Sequence, residues 1–200
     1  MKGSLIIVGF FVLGTIAGVC GWIPASLQQS NLSFYALCAL MFSVGLSIGN
    51  DPQTIRNFRA LNPRLIFLPV MTILGTLAGA AAVSFVLPHR SLTDCMAVGS
   101  GFGYYSLSSI FITEYRGAGL GTVALLSNIS REIFTLLCAP LLVRWFGNLA
   151  PISSGGATTM DTTLPIITRC AGQQFVIVSV FHGFVVDFSV PFLVTFFCSF

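Results

Sequence analysis

The sequence predicts an all-α integral membrane protein in which three plain transmembrane helices precede two inverted units, each a broken re-entrant hairpin followed by a spanning helix. Hydrophobic residues make up 55% of the 200 residues and charged residues only 8%, whereas about a quarter of the residues in a soluble domain are charged. The mean hydropathy is +0.92. Nine basic and six acidic side chains cannot cover the surface of a soluble fold, but they suffice at the two faces of a bilayer.

The charged and cysteine residues exclude several classes of partner. The net charge of +3 is small and scattered, without the basic run that nucleic-acid binding requires, so we expect no nucleic acid. The cysteines occur singly, mostly in apolar segments, where a thiol packs as a small hydrophobe. We therefore expect no disulfide, metal or cofactor at Cys20, Cys38, Cys95, Cys138, Cys170 and Cys198.

Three plain spans open the chain, at residues 4–23, 32–49 and 65–87, each near the roughly 20 apolar residues that a bilayer requires. The loop at 50–64 holds three arginines against one aspartate, so the positive-inside rule places this loop and the N-terminus in the cytoplasm. The apolar run that ends at Cys20 also resembles a secretory signal peptide. No small-residue cleavage site follows cleanly and further apolar segments come after it, which favours the transmembrane interpretation.

The character of the chain changes after the third span. Residues 95–113 and 153–169 are too interrupted by glycine, proline and hydroxyl residues for simple helices, whereas residues 120–146 and 175–200 are long enough to span. Polar groups are concentrated in this second half. We therefore expect two parts, scaffold helices at 1–90 and a transport domain at 91–200.

A weak internal repeat pairs these four elements two by two. The sequence Pro-Leu-Leu-Val from Pro140 echoes Pro-Phe-Leu-Val from Pro191, and the same offset of 51 residues pairs Arg131 with His182. If the broken segments re-enter, the two units run antiparallel, which is the usual architecture of secondary transporters. If both segments cross fully, the units run parallel, and a chance match in an apolar sequence is a further alternative. We expect re-entrant hairpins.

Polar residues at helical spacing form one stripe in the predicted span 120–146. A charge at the centre of a bilayer costs about 3 kcal/mol on insertion scales, so such a residue indicates a functional site or an internal ion pair. The structural alternative is that Glu132 pairs with a basic residue of a neighbouring helix and only holds the bundle together. The stripe comprises Ser127, Asn128, Arg131, Glu132 and Thr135.

The two broken segments contain further candidates. Asp161 lies between two threonine pairs, ahead of a proline that prevents a continuous helix. Unwound backbone, hydroxyl groups and a dry carboxylate are typical of sites for ions and small polar solutes, and a helix N-cap is the compatible alternative for Asp161. In the first segment, Gly101 and Gly103 permit close backbone approach, and Tyr104 and Tyr105 offer aromatic faces to a cation.

The remaining titratable residues are less specific. His182 suits either a proton relay or a packing hydrogen bond. Glu114 suits a solvated position at the outer surface, and the isolation of Asp187 leaves its role undecided. The sequence has no Ser/His/Asp order and no metalloprotease motif, so we do not expect an enzyme.

Four motifs occur in order along the chain. They are the run from Ser100 to Ser108 with Thr113-Glu114, Asn128 with Arg131-Glu132, the run from Gly156 to Pro165, and His182-Gly183. Over essentially the whole chain, these motifs resemble those of the prokaryotic lysine exporter (LysO) family. The resemblance implies an inner-membrane exporter of L-lysine that also passes the analogue thialysine. Family members usually begin with about three further helices, so we expect a small membrane partner, or a second copy of the chain, to supply them.

The charges of lysine agree with these residue types. Lysine bears two ammonium groups and one carboxylate, so its site requires buried acids together with a cation or a helix N-terminus. Glu132 and Asp161 suit the ammonium groups, and Arg131 or a hairpin N-terminus suits the carboxylate. The substrate-binding candidates are Tyr104, Tyr105, Ser106, Asn128, Arg131, Glu132, Thr159, Asp161 and Thr162, with Gly101, Gly103 and Glu114 as further candidates.

Export of a cation requires a driving ion. Moving one positive charge outward against an inside-negative potential costs about 2.3 kcal/mol per 100 mV. We expect proton antiport, in which Glu132 or Asp161 holds either a proton or an ammonium group and His182 relays protons. Sodium exchange is the alternative coupling, with hydroxyls of residues 158–163 as ligands. The alternative functions are a non-transporting subunit that stabilises a partner, a sodium-coupled transporter of another small polar solute, and a passive channel.

Overall fold

The computed structural model describes residues 63–87 and 89–200, together with the isolated positions 13, 16–18, 20, 21, 35, 42 and 46. By its contacts the chain divides into two units, Met1–Asp51 and Pro52–Phe200. The predicted spans 4–23 and 32–49 lie almost wholly outside the described residues, and the functional division at residue 90 stays a prediction. The first helix of the second unit contacts the elements that follow it.

Residues 63–87 and 89–200 are mainly helical and contain no strand. Two short 3₁₀ helices, Gly156–Met160 and Gln173–Phe175, precede the last two α-helices. The predicted all-α class is therefore confirmed for these residues. The α-helices are α1 Pro63–Val86, α2 Leu92–Gly99, α3 Tyr105–Arg116, α4 Ala118–Phe146, α5 Ala150–Gly155, α6 Leu164–Ala171 and α7 Val176–Cys198.

Three of these helices are long and apolar enough to cross a membrane. They are Leu65–Val86, Ala118–Phe146 and Gln173–Cys198, so the predicted spans 65–87, 120–146 and 175–200 are confirmed as apolar helices of that length. Large hydrophobic side chains stay exposed along them, as expected where lipid replaces water around a protein. The exposed examples include Phe67, Met71, Leu137, Phe188 and Phe192.

The first broken segment consists of α2, a tight turn at residues 100–104, and α3. The Ser91 side chain accepts the Asp94 N–H at 3.0 Å and so starts α2. At the other end of the segment, Arg116 Nη1 lies 3.7 Å from Asp94 Oδ1, and Arg116 Nε donates to the Cys198 carbonyl at 3.2 Å. Both ends of the segment therefore lie together, beside the C-terminal end of α7.

The second broken segment consists of α5, the 3₁₀ helix Gly156–Met160, and α6. Ile152 of α5 and Ile167 and Ala171 of α6 form one buried cluster with Val178 of α7. The partly buried residues packed against this cluster come from the start of α1, the end of α4 and the start of α7. Both ends of the second segment therefore lie at one end of the long helices. The two ends of the first segment lie at the other end of those helices. Those packed residues are Leu65, Leu68, Val143, Leu149, Ile166 and Phe175.

The two broken segments contact each other through their turns. The Ala157 N–H donates to the Phe102 carbonyl at 2.9 Å. Gly156 has a φ of +64°, and a Cβ there would overlap the same Phe102 carbonyl oxygen. Phe102 itself is fully buried and adopts a φ of 45°, a left-handed conformation that is uncommon for a bulky residue. The contact therefore depends on the absence of a side chain at Gly156.

We expect Gly156→Ala to separate the two turns and lower the stability of the protein. The left-handed φ and the overlap with Phe102 together cost about 2 to 4 kcal/mol, which a lower midpoint of thermal unfolding in detergent would reveal. Gly147→Ala is the matched control, because Gly147 has a φ of +89° but open space around it. Equal midpoints for the two variants would show that the turn contact adds nothing to stability.

Candidate functional site

The functional candidates gather around the two turns in contact, residues 100–104 and 155–163, which we call the paired turns. The carboxyl ends of α2 and α5 and the amino ends of α3 and α6 all meet there. Each helix end leaves carbonyl or N–H groups without an intrahelical partner. Because apolar helices pack around the paired turns, side chains have to supply the hydrogen bonds that these backbone groups lack.

Asn128 of α4 fixes the first turn. Its side-chain oxygen accepts the Gly103 N–H at 2.7 Å, and its amide nitrogen donates to the Ala124 carbonyl at 2.9 Å and the Val98 carbonyl at 3.3 Å. The residue is 3% exposed. One amide thus satisfies a carbonyl in the last turn of α2 and an N–H of the turn after it. The predicted candidates Gly101 and Gly103 are both buried against this amide or the opposite turn.

Arg131 of α4 extends to the second turn. Its Nε donates to the Ser154 carbonyl at 2.8 Å and its Nη2 to the Ser153 carbonyl at 3.0 Å. Its Nη1 donates to Thr76 Oγ1 of α1 at 3.2 Å, and the guanidinium lies 5.9 Å from the centre of the Phe102 ring. A cation at these carbonyls complements the negative carboxyl end of α5. Arg131 therefore joins α1, α4 and both paired turns.

His182 of α7 occupies the position that the 51-residue offset pairs with Arg131. Its Nδ1 lies 3.2 Å from Thr159 Oγ1, and its Nε2 lies 2.9 Å from Thr72 Oγ1. Thr159 also donates to the Ser179 carbonyl at 2.9 Å. Thr72 and Thr76 are one turn apart on α1, so the two basic residues contact the same face of that helix, each through a threonine hydroxyl.

The two predicted acids are arranged differently from each other. Asp161 follows the 3₁₀ helix and is exposed, although the sequence predicts a dry carboxylate. Its Oδ1 accepts the Thr162 N–H at 2.5 Å, and the N-cap of α6 is Thr163, so Asp161 is not that cap. Glu132 is half-buried and makes no hydrogen bond or ion pair with the described residues. Within that part of the chain it does not hold a neighbouring helix.

The other sequence candidates differ in their distance from the paired turns. Tyr104 and Tyr105 are half-buried where the first turn passes into α3, and Ser106 is exposed one residue later. Thr162 is exposed beside Asp161. Glu114 is exposed near the opposite end of α3, so the structure does not bring it to the paired turns.

Two cavities lie along α1. A cavity of about 320 Å³, which we call the α2 cavity, extends from Arg90 and Asp94 to Asn128 and Arg131. A cavity of about 350 Å³, the α5 cavity, is lined by Met71, Thr72, Gly75, Thr76, Ser153 and Ser154. Thr76 lines both. The hydrogen bond between Thr76 and Arg131 therefore lies where the two cavities approach each other.

The sequence analysis did not single out as site candidates three polar residues whose contacts or burial the structure reveals. Thr72 and Thr76 lie in a span that appeared plain, although two threonines one turn apart in an apolar helix are a detectable signal. Asp187 has no repeat partner in sequence, yet it is 6% exposed in α7. Its burial results from packing between elements distant in sequence, which no local sequence pattern indicates.

The fold and the paired turns define a multi-pass membrane protein whose broken helices meet beside buried polar side chains. Residues 8–198 match the family model described as Lysine exporter LysO, and the chain belongs to this family. No solved structure matches the chain.

Two curated relatives are similar over most of the chain. The Lysine exporter LysO of Escherichia coli (strain K12) is 34% identical over 197 residues, which are 98% of this chain and 64% of that protein. The chain thus spans less than two thirds of that relative's length. A protein of Haemophilus influenzae with the name "Putative lysine exporter" is 34% identical over 184 residues, which are 91% of this chain and 93% of that protein.

We expect Arg131→Lys to destabilise the paired turns although it keeps the charge. A lysine ammonium cannot reach Thr76 and both serine carbonyls in the geometry of the guanidinium fork, so the free energy of unfolding falls by about 2 to 3 kcal/mol. The midpoint of thermal unfolding in detergent measures this. Arg144→Lys, at an exposed position in the same helix, is the control and should leave the midpoint unchanged. An unchanged midpoint for Arg131→Lys would refute this role.

Proposed function

We propose that the chain is a secondary active transporter that exports L-lysine across the inner membrane of a prokaryotic cell. The observation that carries the proposal is the contact between two broken segments whose ends lie at opposite ends of the long helices. Broken helices that meet near the middle of a membrane are where secondary transporters bind substrates and ions. Membership of the lysine exporter family supports the same class and supplies the substrate.

The two broken segments are proposed to re-enter the membrane from opposite faces. The ion pair between Asp94 and Arg116 supports this for the first segment, because it joins the start of α2 to the end of α3. Arg144 and Arg169 lie in the last turns of α4 and α6, which end beside the start of α1. The positive-inside rule therefore favours a cytoplasmic location for that end.

The α2 and α5 cavities are proposed to be the two access routes. Their volumes are at the lower end of the roughly 300 to 1,000 Å³ that small-molecule sites occupy. A carrier needs a barrier that separates one route from the other. The Thr76 to Arg131 hydrogen bond, at the boundary of the two cavities, supplies such a barrier.

The charged groups of lysine are proposed to bind beside this barrier. Arg131 uses three of its five N–H donors on protein acceptors, so two remain for the substrate carboxylate. Glu132 and Asp161 are assigned to the ammonium groups, since neither is neutralised by an ion pair with the described residues. The candidates assigned to the uncharged part of the site are Tyr104, Tyr105, Ser106, Asn128, Thr159 and Thr162.

We expect Glu132→Gln and Asp161→Asn each to lower lysine efflux at least tenfold, because an amide cannot compensate an ammonium charge. Efflux is measured from lysine-loaded cells that produce each variant at the level of the unmodified chain. Asp51→Asn, in the predicted loop 50–64, is the matched change of an acid to its amide and should leave efflux unchanged. Full efflux by both site variants would remove the two acids from the site.

We expect an inward proton gradient to accelerate lysine efflux from proteoliposomes at zero membrane potential. Exchange of a proton for an ammonium group on one carboxylate moves little net charge, so the proton gradient drives the cation outward. His182 is proposed as a relay, and its replacement by Asn should reduce this acceleration. Efflux that ignores the proton gradient and follows a sodium gradient would establish sodium coupling. Absence of efflux under any gradient would favour the non-transporting subunit.

A further inference from the structure

Asp187 is largely buried, yet its carboxylate oxygens keep some accessible surface, since no fully buried side-chain oxygen among the described residues lacks a hydrogen-bond partner. Among the described residues, eleven polar or charged side chains are buried, and ten of them make hydrogen bonds. Asp187 is the exception, since it has neither a hydrogen bond nor an ion pair within that set. It is 6% exposed. A largely buried charge without a partner is costly, which makes this accessible carboxylate a candidate to bind a cation.

The packing of α7 carries Asp187 toward the second turn. Gly183 lies so close to the 3₁₀ helix that a Cβ there would come 2.7 Å from the Met160 nitrogen. Asp187 is four residues further along α7 and therefore lies on the same face, one turn beyond Met160. The residue after Met160 is Asp161, and the carboxylates of Asp161 and Asp187 interact electrostatically.

Tyr104 brings a third oxygen to the same place from the first turn. Tyr104 lies two residues after Phe102, whose carbonyl accepts the Ala157 N–H of the second turn, and it is close enough to Asp187 and Asp161 for an electrostatic interaction. The basic side chains nearby are committed elsewhere, since Arg131 donates to the α5 carbonyls and Thr76, and His182 lies between two threonines. Tyr104, Asp161 and Asp187 thus bring oxygen atoms from both turns and α7 near one another, and no cation from the described residues pairs with them.

We propose that Asp187, Asp161 and the Tyr104 hydroxyl together bind one ammonium group of the transported substrate. A primary ammonium has three N–H donors and no acceptor, which matches three oxygen acceptors. Its charge offsets the repulsion between two neighbouring carboxylates. This inference rests on the proposed function and adds to it a buried carboxylate that the sequence alone left without a role.

The test is the affinity of the purified chain for lysine and for two analogues, measured by isothermal titration calorimetry in detergent. Norleucine lacks the side-chain ammonium, and 6-aminohexanoate lacks the α-ammonium. We expect Asp187→Asn to weaken lysine binding at least tenfold. The analogue that retains the ammonium group bound at Asp187 should lose affinity similarly, and the affinity for the other analogue should change less than twofold. Ser189→Ala is the control, because Ser189 bonds only the Val186 carbonyl of its own helix.

A second measurement separates binding from a structural role. Because Asp187→Asn removes an unpaired buried charge, it should raise the midpoint of thermal unfolding when lysine is absent. A lower midpoint, or a failure to fold, would mean that Asp187 supports the structure, and the inference would be wrong. This readout does not depend on the identity of the substrate.

The remaining outcomes distinguish the inference from the proposed function. If the unmodified chain binds lysine and Asp187→Asn binds it equally well, the inference fails and lysine export stands. If the unmodified chain does not bind lysine, the proposed substrate is wrong. Stabilisation of the unmodified chain by sodium chloride over choline chloride, lost in Asp187→Asn and without any effect of lysine, would overturn the ammonium assignment in favour of a sodium ion.

Discussion

The guanidinium of Arg131 satisfies a constraint on which the central part of the structure depends. A helix that stops inside an apolar layer leaves carbonyl groups without donors, and each unsatisfied group there costs several kcal/mol. Arg131 supplies two donors to the end of α5 and a third to Thr76, while its face lies over the Phe102 ring. The second turn, the first turn and α1 are therefore held by a single side chain.

The two turns solve this problem with different chemistry. A neutral amide, Asn128, satisfies the end of α2 and comes from the helix that follows the first segment. The charged Arg131, one turn further along the same helix, satisfies the end of α5. Since both side chains come from α4, a movement of that helix would act on both turns. Among the described residues the guanidinium makes no ion pair, and the Ser153 and Ser154 carbonyls and the Phe102 ring offset its positive charge.

Much of this arrangement could be predicted from the sequence. The apolar lengths of α1, α4 and α7 and the glycine-rich breaks between them are local properties, and a residue pattern reports local properties directly. The offset between two prolines also drew attention to Arg131 and His182, both of which contact threonines of α1; the repeat itself stays a prediction. The sequence also indicated that Asn128 and Arg131 share one face of a helix.

The remaining features depend on packing between distant elements. Asp161 is exposed because its carboxylate bonds the next residue's N–H at the end of the 3₁₀ helix, a local geometry that residue type does not specify. Asp187 is buried because Gly183 lets α7 approach Met160 closely. Hydropathy predicts neither the exposure of Asp161 nor the burial of Asp187, because both are aspartates with apolar or hydroxyl-bearing neighbours in sequence.

The opposed placement of the two broken segments would have an energetic consequence in the proposed exporter. If segments of similar construction that begin at opposite ends gave the outward-open and inward-open shapes similar contacts, the free energies of the two shapes would differ little. The ratio of the two shapes changes tenfold for each difference of about 1.4 kcal/mol in the free energy with which a ligand binds them. A typical hydrogen bond to a charged group contributes more than this. In the proposed exporter, a proton or an ammonium group bound at a single charged site would thus be enough to change which of the two shapes predominates.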